Sequence, residues 1–169
     1  MKVLISAASR HGSTEEIAEA IGAELRRLGL DAEVRPIDEV GDLTGYDAAV
    51  IGSAVYLGRW QPAARQVIER EEAVLRGLPV WLFSSGPLGA DDHASAAEPS
   101  DLAALLERSG ARGHRVFVGK LDRDQLGLGE RLVSAVVQAP EGDFRDWTAI
   151  RAWADEIAAA LMSGSSESL

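Results

Sequence analysis

Short apolar runs alternate along this chain with stretches whose apolar residues recur at helical spacing. The runs at 2–7, 46–53 and 79–84 have the length and composition of buried parallel strands. Residues 32–35 have the polar flanks of an edge strand, and 115–119 form a fifth run. The pattern therefore predicts five strands separated by helices.

Periodicity and end signals place the helices between these strands. Pro62 opens a helix that runs to about Leu75, and another covers about 101–108. The first helix ends at Gly29 and has one apolar stripe, formed by Ile17, Ile21, Leu25 and Leu28. The last helix also has a single apolar stripe, formed by Trp147, Ile150, Ala154, Ile157 and Leu161.

This alternation predicts an α/β fold in which a doubly wound, five-stranded parallel sheet carries helices on both faces. The 169 residues, of which 46% are hydrophobic, suffice for one substantial core and fit a single domain. We expect the domain to cover 1–162 and the Ser-rich segment 163–169 to be a flexible tail.

A hydroxyl-rich turn joins the first strand to the first helix, and it reads Ser9, Arg10, His11, Gly12, Ser13, Thr14. At a helix start, hydroxyls, unpaired backbone N–H groups and the positive end of the helix dipole all attract a dianion. The turn is therefore a candidate phosphate site that needs no lysine. Neither G-x-x-x-x-G-K-S/T nor G-x-G-x-x-G is present, so the phosphate of flavin mononucleotide (FMN) fits better than a nucleoside triphosphate or NAD.

The same turn has a simpler interpretation. Ser13 and Glu16 stand at capping-box spacing, so the hydroxyls could serve only to cap the helix, a role worth about 1 kcal/mol. The turn alone does not decide between ligand and cap.

Two further loops follow neighbouring predicted strands, and ligands of such sheets bind outside the carboxyl ends of the strands. Both loops are rich in Gly and Ser, which allow close backbone approach and offer N–H donors. The candidate binding residues are Ser53, Ala54, Val55, Tyr56, Leu57 and Gly58 in the second loop and Ser85, Gly86, Pro87, Leu88 and Gly89 in the third. We expect Tyr56 to stack on a flavin ring and Trp60 to do so less or not at all.

Charge and composition exclude several classes of function. The net charge of −10 argues against nucleic acid as a partner. The absence of cysteine excludes disulfides, thiolate catalysis and iron–sulfur clusters, and the three scattered histidines predict no metal site. Ser84 and Ser85 lack the G-x-S-x-G elbow of a hydrolase and any histidine that the sequence places as their base.

The position of the first strand and the lengths of the apolar runs bear on location. The first strand begins without a cleavable signal pattern, and no apolar run approaches the roughly 18 residues of a membrane span, so we expect a soluble, cytoplasmic protein.

The chain resembles the flavodoxin family, whose phosphate loop has the form Ser/Thr-x-Ser/Thr-Gly-x-Thr. Ser9, Gly12, Ser13 and Thr14 match that loop, whereas His11 stands where the family usually has a hydroxyl. Within the family it looks most like the branch of bacterial quinone-dependent protoporphyrinogen oxidases. That likeness rests on Ser-Arg-x-Gly-x-Thr in the first loop, on Gly52-Ser53 with Tyr56 and Gly58, on Gly-Lys-Leu-Asp at 119–122, and on Asp146-Trp147.

The resemblance implies a flavodoxin-like sheet of strand order 2-1-3-4-5 and a flavoprotein with non-covalent FMN. It implies an oxidoreductase that takes electrons from a bulky organic donor and passes them to an acceptor such as a quinone. A flavodoxin-type electron carrier that docks on protein partners and a cofactor-free interaction module remain alternatives, so enzymatic activity is left open. No side chain is predicted as a catalytic acid or base.

The resemblance also bears on membranes and assembly. The oxidase branch has a long, basic insert after the last strand, whereas 126–138 here is a short amphipathic stretch with few basic residues. We therefore expect no stable membrane association. A homo-oligomer is left open.

Overall fold

The computed structural model describes residues 1–10, 12–86, 99–118, 120–121, 142–143 and 145–166. Its strands are β1 (Lys2–Ala8), β2 (Asp31–Pro36), β3 (Ala48–Tyr56), β4 (Arg59–Trp60), β5 (Val80–Gly86), β6 (Gly113–Val118), β7 (Lys120–Leu121) and β8 (Gly142–Asp143). Its α-helices are α1 (Ser13–Arg27), α2 (Pro62–Arg70), α3 (Glu72–Leu75), α4 (Leu102–Ser109) and α5 (Trp147–Ser166). A single 3-10 turn, Ile37–Glu39, follows β2.

Five of these strands form a parallel sheet in the order β2-β1-β3-β5-β6. Counted by the five predicted strands, this is the order 2-1-3-4-5, so the predicted doubly wound fold is confirmed. The two-residue strand β4 pairs antiparallel with the end of β3, and β7 pairs with β8 in a separate ribbon.

The sheet has an apolar core on each face. Because successive strand residues point to opposite faces, Ile5 packs with α1 and α5 on one side, and its neighbour Leu4 packs with α2 and α4 on the other. The interior strand β1 is buried along its whole length after Lys2. Interior strands of a parallel sheet are covered on both faces, so they consist of continuous apolar runs. The sequence shows this pattern in β1.

A cluster of three aromatic rings lies in the core on the side of α1 and α5. Phe83, Phe117 and Trp153 have ring centroids 5.6–6.2 Å apart in tilted and edge-on pairs. A Cβ on Gly52 would lie 2.2 Å from the Phe83 ring. Core packing therefore requires a glycine at position 52. The sequence analysis gave a different reason for glycine in this region, the close approach of the backbone to a ligand.

Two helices differ from prediction. The predicted helix from Pro62 to about Leu75 is broken at Glu71, whose φ of −101° and ψ of 14° leave the α region. The Glu71 carboxylate accepts a hydrogen bond from the Leu43 N–H at 3.3 Å, a contact that ties the break to a neighbouring loop. The last helix continues to Ser166, into the segment where a tail is predicted.

Candidate functional site

The carboxyl ends of β1, β3 and β5 meet at one edge of the sheet. Ala8 pairs with Ser53 in the parallel register, Ser53 pairs with Ser84, and Ala54 pairs with Ser85. The three loops predicted to bind a ligand therefore start side by side, and the described part of each belongs to one site.

The first loop is a compact turn held by the hydroxyl of Ser9. Ser9 Oγ accepts hydrogen bonds from the Gly12 N–H at 2.9 Å and from the Thr14 N–H at 3.4 Å. Gly12 has a φ of 84°, a left-handed conformation that glycine adopts without strain. The turn thereby brings the Ser9 hydroxyl and the N–H groups of Gly12 and Thr14 together at the start of α1.

The capping-box interpretation of Ser13 and Glu16 is wrong. Helix α1 begins at Ser13 itself, its N-cap is Gly12, and no N-cap side chain bonds the helix. Glu16 instead pairs with Arg145. Part of the capping role belongs to Ser9, which satisfies the N–H of Thr14 from a position before the helix.

Thr14 is the site's clearest sign of a ligand. The residue is 0% exposed, and within the described part of the chain its Oγ1 has no hydrogen-bond partner. A buried hydroxyl without a partner costs about 1–3 kcal/mol. This orphaned hydroxyl in the first turn of α1 fits an oxygen of a bound phosphate, so the residues present suit the phosphate of a flavin nucleotide.

Arg145 is a charged neighbour of this turn that the sequence analysis missed. Its side chain is 4% exposed and forms an ion pair with Glu16. Its Nη1 donates to the Ser13 carbonyl at 3.2 Å, and its guanidinium lies 4.6 Å from the ring centroid of Trp147. More than a hundred residues separate Arg145 from the first loop, so no local pattern could reveal the contact.

The second loop is shorter than predicted, because β3 continues through Tyr56 and the chain turns back at once into β4. The turn consists of Leu57, with φ of 52°, and Gly58, with φ of 75°. A left-handed leucine is strained, and this one is also 71% exposed. The residues predicted as a binding loop therefore form the end of β3 and a tight hairpin turn with an apolar residue at its tip.

The two aromatic residues of this hairpin have different surroundings. Tyr56 is half-buried, and the Arg10 guanidinium lies over its ring at 4.4 Å from the centroid. Trp60 is 2% exposed and packs in the core on the α2 side of the sheet. Tyr56 is thus the one of the two that borders the first loop.

At the third loop the structure brings a histidine to Ser84. The Trp60 indole N–H donates to Ser84 Oγ at 2.8 Å, and the same Oγ lies 2.7 Å from His114 Nε2. The Ser84 hydroxyl accepts from the indole N–H and forms a second hydrogen bond with His114 Nε2, whose direction depends on the imidazole tautomer. The sequence placed no histidine here, yet Ser84 is 0% exposed, so this pair is a buried hydrogen-bond chain and not an accessible nucleophile.

The residues that follow the third loop are tied to the hairpin tip. The Ser100 N–H donates to the Gly58 carbonyl at 2.8 Å. An Asp101 carboxylate oxygen lies 3.8 Å from Arg65 Nε, and both of these atoms are buried without a hydrogen-bond partner in the described part of the chain. The hairpin tip is therefore hydrogen-bonded to the segment that precedes α4.

Some predicted features lie outside the described residues. These are His11, Pro87, Leu88 and Gly89 of the candidate site and the amphipathic stretch 126–138. In the parts of the chain that the structure does describe, no helix is both long and apolar enough to span a bilayer.

The chain forms a doubly wound parallel sheet. The candidate phosphate-binding turn, the hairpin and the end of β5 lie at one edge of that sheet, an arrangement that defines a flavodoxin-like α/β protein. The flavodoxin domain family matches residues 4–148, and the chain belongs to that family. Proteins of this family bind flavin, typically FMN, so the chain is a flavodoxin-type flavoprotein.

Comparison with known proteins finds a curated relative and many similar folds. Protoporphyrinogen IX dehydrogenase (quinone) of Escherichia coli K12 is 24% identical, over 94% of this chain and 95% of the relative. A flavodoxin from Streptococcus pneumoniae TIGR4 is 21% identical with a TM-score of 0.61, covering 95% of this chain and 99% of that one.

A larger protein contains the same fold as one part. Rubredoxin oxygen:oxidoreductase from Desulfovibrio gigas is 16% identical with a TM-score of 0.64, over 96% of this chain but 36% of that protein. At these identities the solved structures establish the fold.

Proposed function

We propose that this protein binds FMN non-covalently and acts as an oxidoreductase that passes electrons from a bulky organic donor to an acceptor such as a quinone. The observation that carries the binding proposal is the buried Thr14 hydroxyl in the first turn of α1, which has no hydrogen-bond partner within the part of the chain that the structure describes. Membership of the flavodoxin domain family supports flavin binding. The Thr14 hydroxyl supports a flavin that carries a phosphate.

The binding roles follow the three loops. The first, from Ser9 to Thr14, would hold the phosphate through hydroxyls and backbone N–H groups. The hairpin residues 53–58 and the third-loop residues 85–89 would border the ring. A bound flavin supplies electron transfer in one- or two-electron steps, and the protein supplies binding, orientation and exclusion of water.

The donor is inferred from the curated relative and from the shape of the hairpin. The relative, named for protoporphyrinogen IX and quinone, covers nearly the whole chain. The tip residue Leu57 is 71% exposed next to the ring-binding candidates, and it is one apolar side chain that a large organic donor could contact. Protoporphyrinogen IX with a quinone acceptor is therefore the first pair to assay.

An electron carrier that docks on protein partners is the second candidate. Flavodoxins with the same fold match this chain nearly end to end, and the same exposed tip could contact a protein. The cytoplasmic location and the absence of stable membrane association remain predictions.

Titration and turnover measurements test both proposals. We expect the purified protein to show a flavin absorption spectrum and, in calorimetric titration, to bind FMN more tightly than riboflavin. Equal affinity for the two ligands, or no binding, would refute the phosphate site. Turnover of protoporphyrinogen IX with a quinone would support the oxidoreductase. Electron transfer only to protein acceptors would support the carrier.

A further inference from the structure

The first turn of α1 carries charges that oppose an anionic ligand. Glu15 and Glu16 are both exposed acidic residues of that turn. Carboxylates stabilise a helix start, but they repel a phosphate dianion that binds to the same N–H groups. A compensating cation therefore favours a phosphate site here; the loop has no lysine, and its own arginine, Arg10, lies over the Tyr56 ring.

Arg145 supplies a cation at this position from the other end of the chain. It pairs with Glu16 and bonds the Ser13 carbonyl, so one guanidinium contacts both the backbone and an acidic side chain of the turn. The guanidinium is fixed by stacking on Trp147 and is 4% exposed. A buried, stacked arginine keeps its geometry before any ligand arrives.

We propose that Arg145 is a specificity-determining positioning residue of the phosphate site, which neutralises Glu16, fixes the first turn and so selects a phosphorylated flavin over its dephosphorylated form. The inference rests on the proposed FMN binding. Its independent support is that the orphaned Thr14 hydroxyl lies in the same turn that Arg145 holds.

The test compares FMN and riboflavin binding by calorimetric titration in the wild type and three variants. We expect Arg145→Gln to weaken FMN binding by about tenfold and to leave riboflavin binding unchanged. Glu16→Gln in the Arg145→Gln background should restore most of the loss, because it removes the uncompensated carboxylate. Glu16→Gln alone should strengthen FMN binding, because it removes a negative charge from the first turn and leaves Arg145 in place.

Two control variants separate this effect from general changes of charge. Arg115→Gln breaks an exposed ion pair with Glu156 of α5, 2.9 Å long, away from the first loop. Glu19→Gln makes the same charge change as Glu16→Gln one turn further along α1. Neither control should alter the ratio of FMN to riboflavin affinity by more than about twofold.

Several results would overturn the proposal. Equal losses of FMN and riboflavin affinity in Arg145→Gln would show a merely structural role, as would failure of Glu16→Gln to restore binding. If Arg145→Gln does not fold, an unchanged FMN preference in Glu16→Gln alone refutes the role. A wild-type protein without FMN preference would refute the proposed function itself, and an intact preference in every variant would refute only the role of Arg145.

Discussion

At the scale of single residues, Thr14 is the most informative side chain, because its position lowers the stability of the ligand-free fold. Thr14 holds a hydroxyl that is fully buried and has no hydrogen-bond partner among the described residues, although a valine of the same shape would avoid the penalty. Functional sites commonly retain such local costs. Thr14 therefore offers a direct way to separate binding from folding.

We expect Thr14→Val to leave the ligand-free protein as stable as the wild type or to stabilise it by about 1 kcal/mol, because an unpaired hydroxyl is removed. FMN binding should weaken by about five- to thirtyfold. Denaturant unfolding and titration measure the two effects. As a control, Ser109→Ala removes a buried hydroxyl that donates to the Leu105 carbonyl at 2.7 Å, and it should cost stability without changing FMN binding. A destabilised Thr14→Val with normal FMN affinity would contradict this prediction.

The two hairpin aromatics should respond differently to truncation. Tyr56→Ala should weaken FMN binding and raise the residual flavin fluorescence, because Tyr56 borders the first loop. Trp60→Ala should instead lower the free energy of unfolding by about 3–5 kcal/mol, because Trp60 is core. Fluorescence titration and denaturant unfolding of both variants check the contrast. If Trp60→Ala weakened FMN binding more than Tyr56→Ala did, Trp60 would be the flavin contact.

At the scale of elements, α1 approaches β2 closely through a glycine. A Cβ on Gly22 would lie 2.4 Å from Val34 Cγ2, well inside van der Waals contact. Gly22→Ala should therefore destabilise the fold by about 1–3 kcal/mol, although alanine is the better helix former.

Two further variants test that explanation. Val34→Ala in the Gly22→Ala background should recover part of the loss, since the clashing methyl group is removed. Gly164→Ala in α5, where no atom lies within 4 Å of the added Cβ, should stabilise by up to about 1 kcal/mol. Denaturant unfolding measures the free energy of unfolding of Gly22→Ala, of the double variant and of Gly164→Ala. An effect of Gly22→Ala that is independent of Val34 would point to a different cause.

Elements with strong local patterns could be predicted from the sequence, and contacts between distant segments could not. The strands after Lys2 and Pro79 are continuous apolar runs, so their burial and parallel order follow from pattern and resemblance. The hairpin strand β4 was missed because a left-handed leucine is an unusual turn residue. The Arg145 contact and the Ser84 to His114 bond depend on tertiary packing, which leaves no local periodic signal.

At the scale of the whole molecule, an ionic cluster at the sheet edge should contribute to the dependence of stability on pH. The Glu33 carboxylate accepts hydrogen bonds from Arg35 Nε at 2.6 Å and from the Tyr46 hydroxyl at 2.7 Å, and Lys2 Nζ lies 3.4 Å away. The Arg35 guanidinium first, and then Tyr46, lower the pKa of Glu33 to about 2.

A pKa that is lower in the folded than in the unfolded chain stabilises the fold above the unfolded value of about 4.3. The contribution is lost as pH falls from there toward about 2. The difference in unfolding free energy between wild type and Glu33→Gln should therefore be constant from neutral pH to about pH 5 and shrink below it. Urea unfolding across this range is the measurement, with the exposed Glu69→Gln as control. If the difference in unfolding free energy between wild type and Glu33→Gln stayed the same down to pH 2, ionisation of Glu33 would not be its cause.

The two-sided burial of the central sheet also has an evolutionary consequence. β1 has no face toward solvent after its first residue, so nearly every substitution there must conserve volume and polarity. Sequence drift is then directed to the loops and to the outer faces of the helices, where substitutions cost little. A lineage built on this sheet can lose most of its sequence identity and keep its architecture, as the flavodoxins at 20–21% identity with TM-scores of 0.58–0.61 illustrate. The edge that carries the three loops is then where new electron donors and acceptors can be acquired without rebuilding the scaffold.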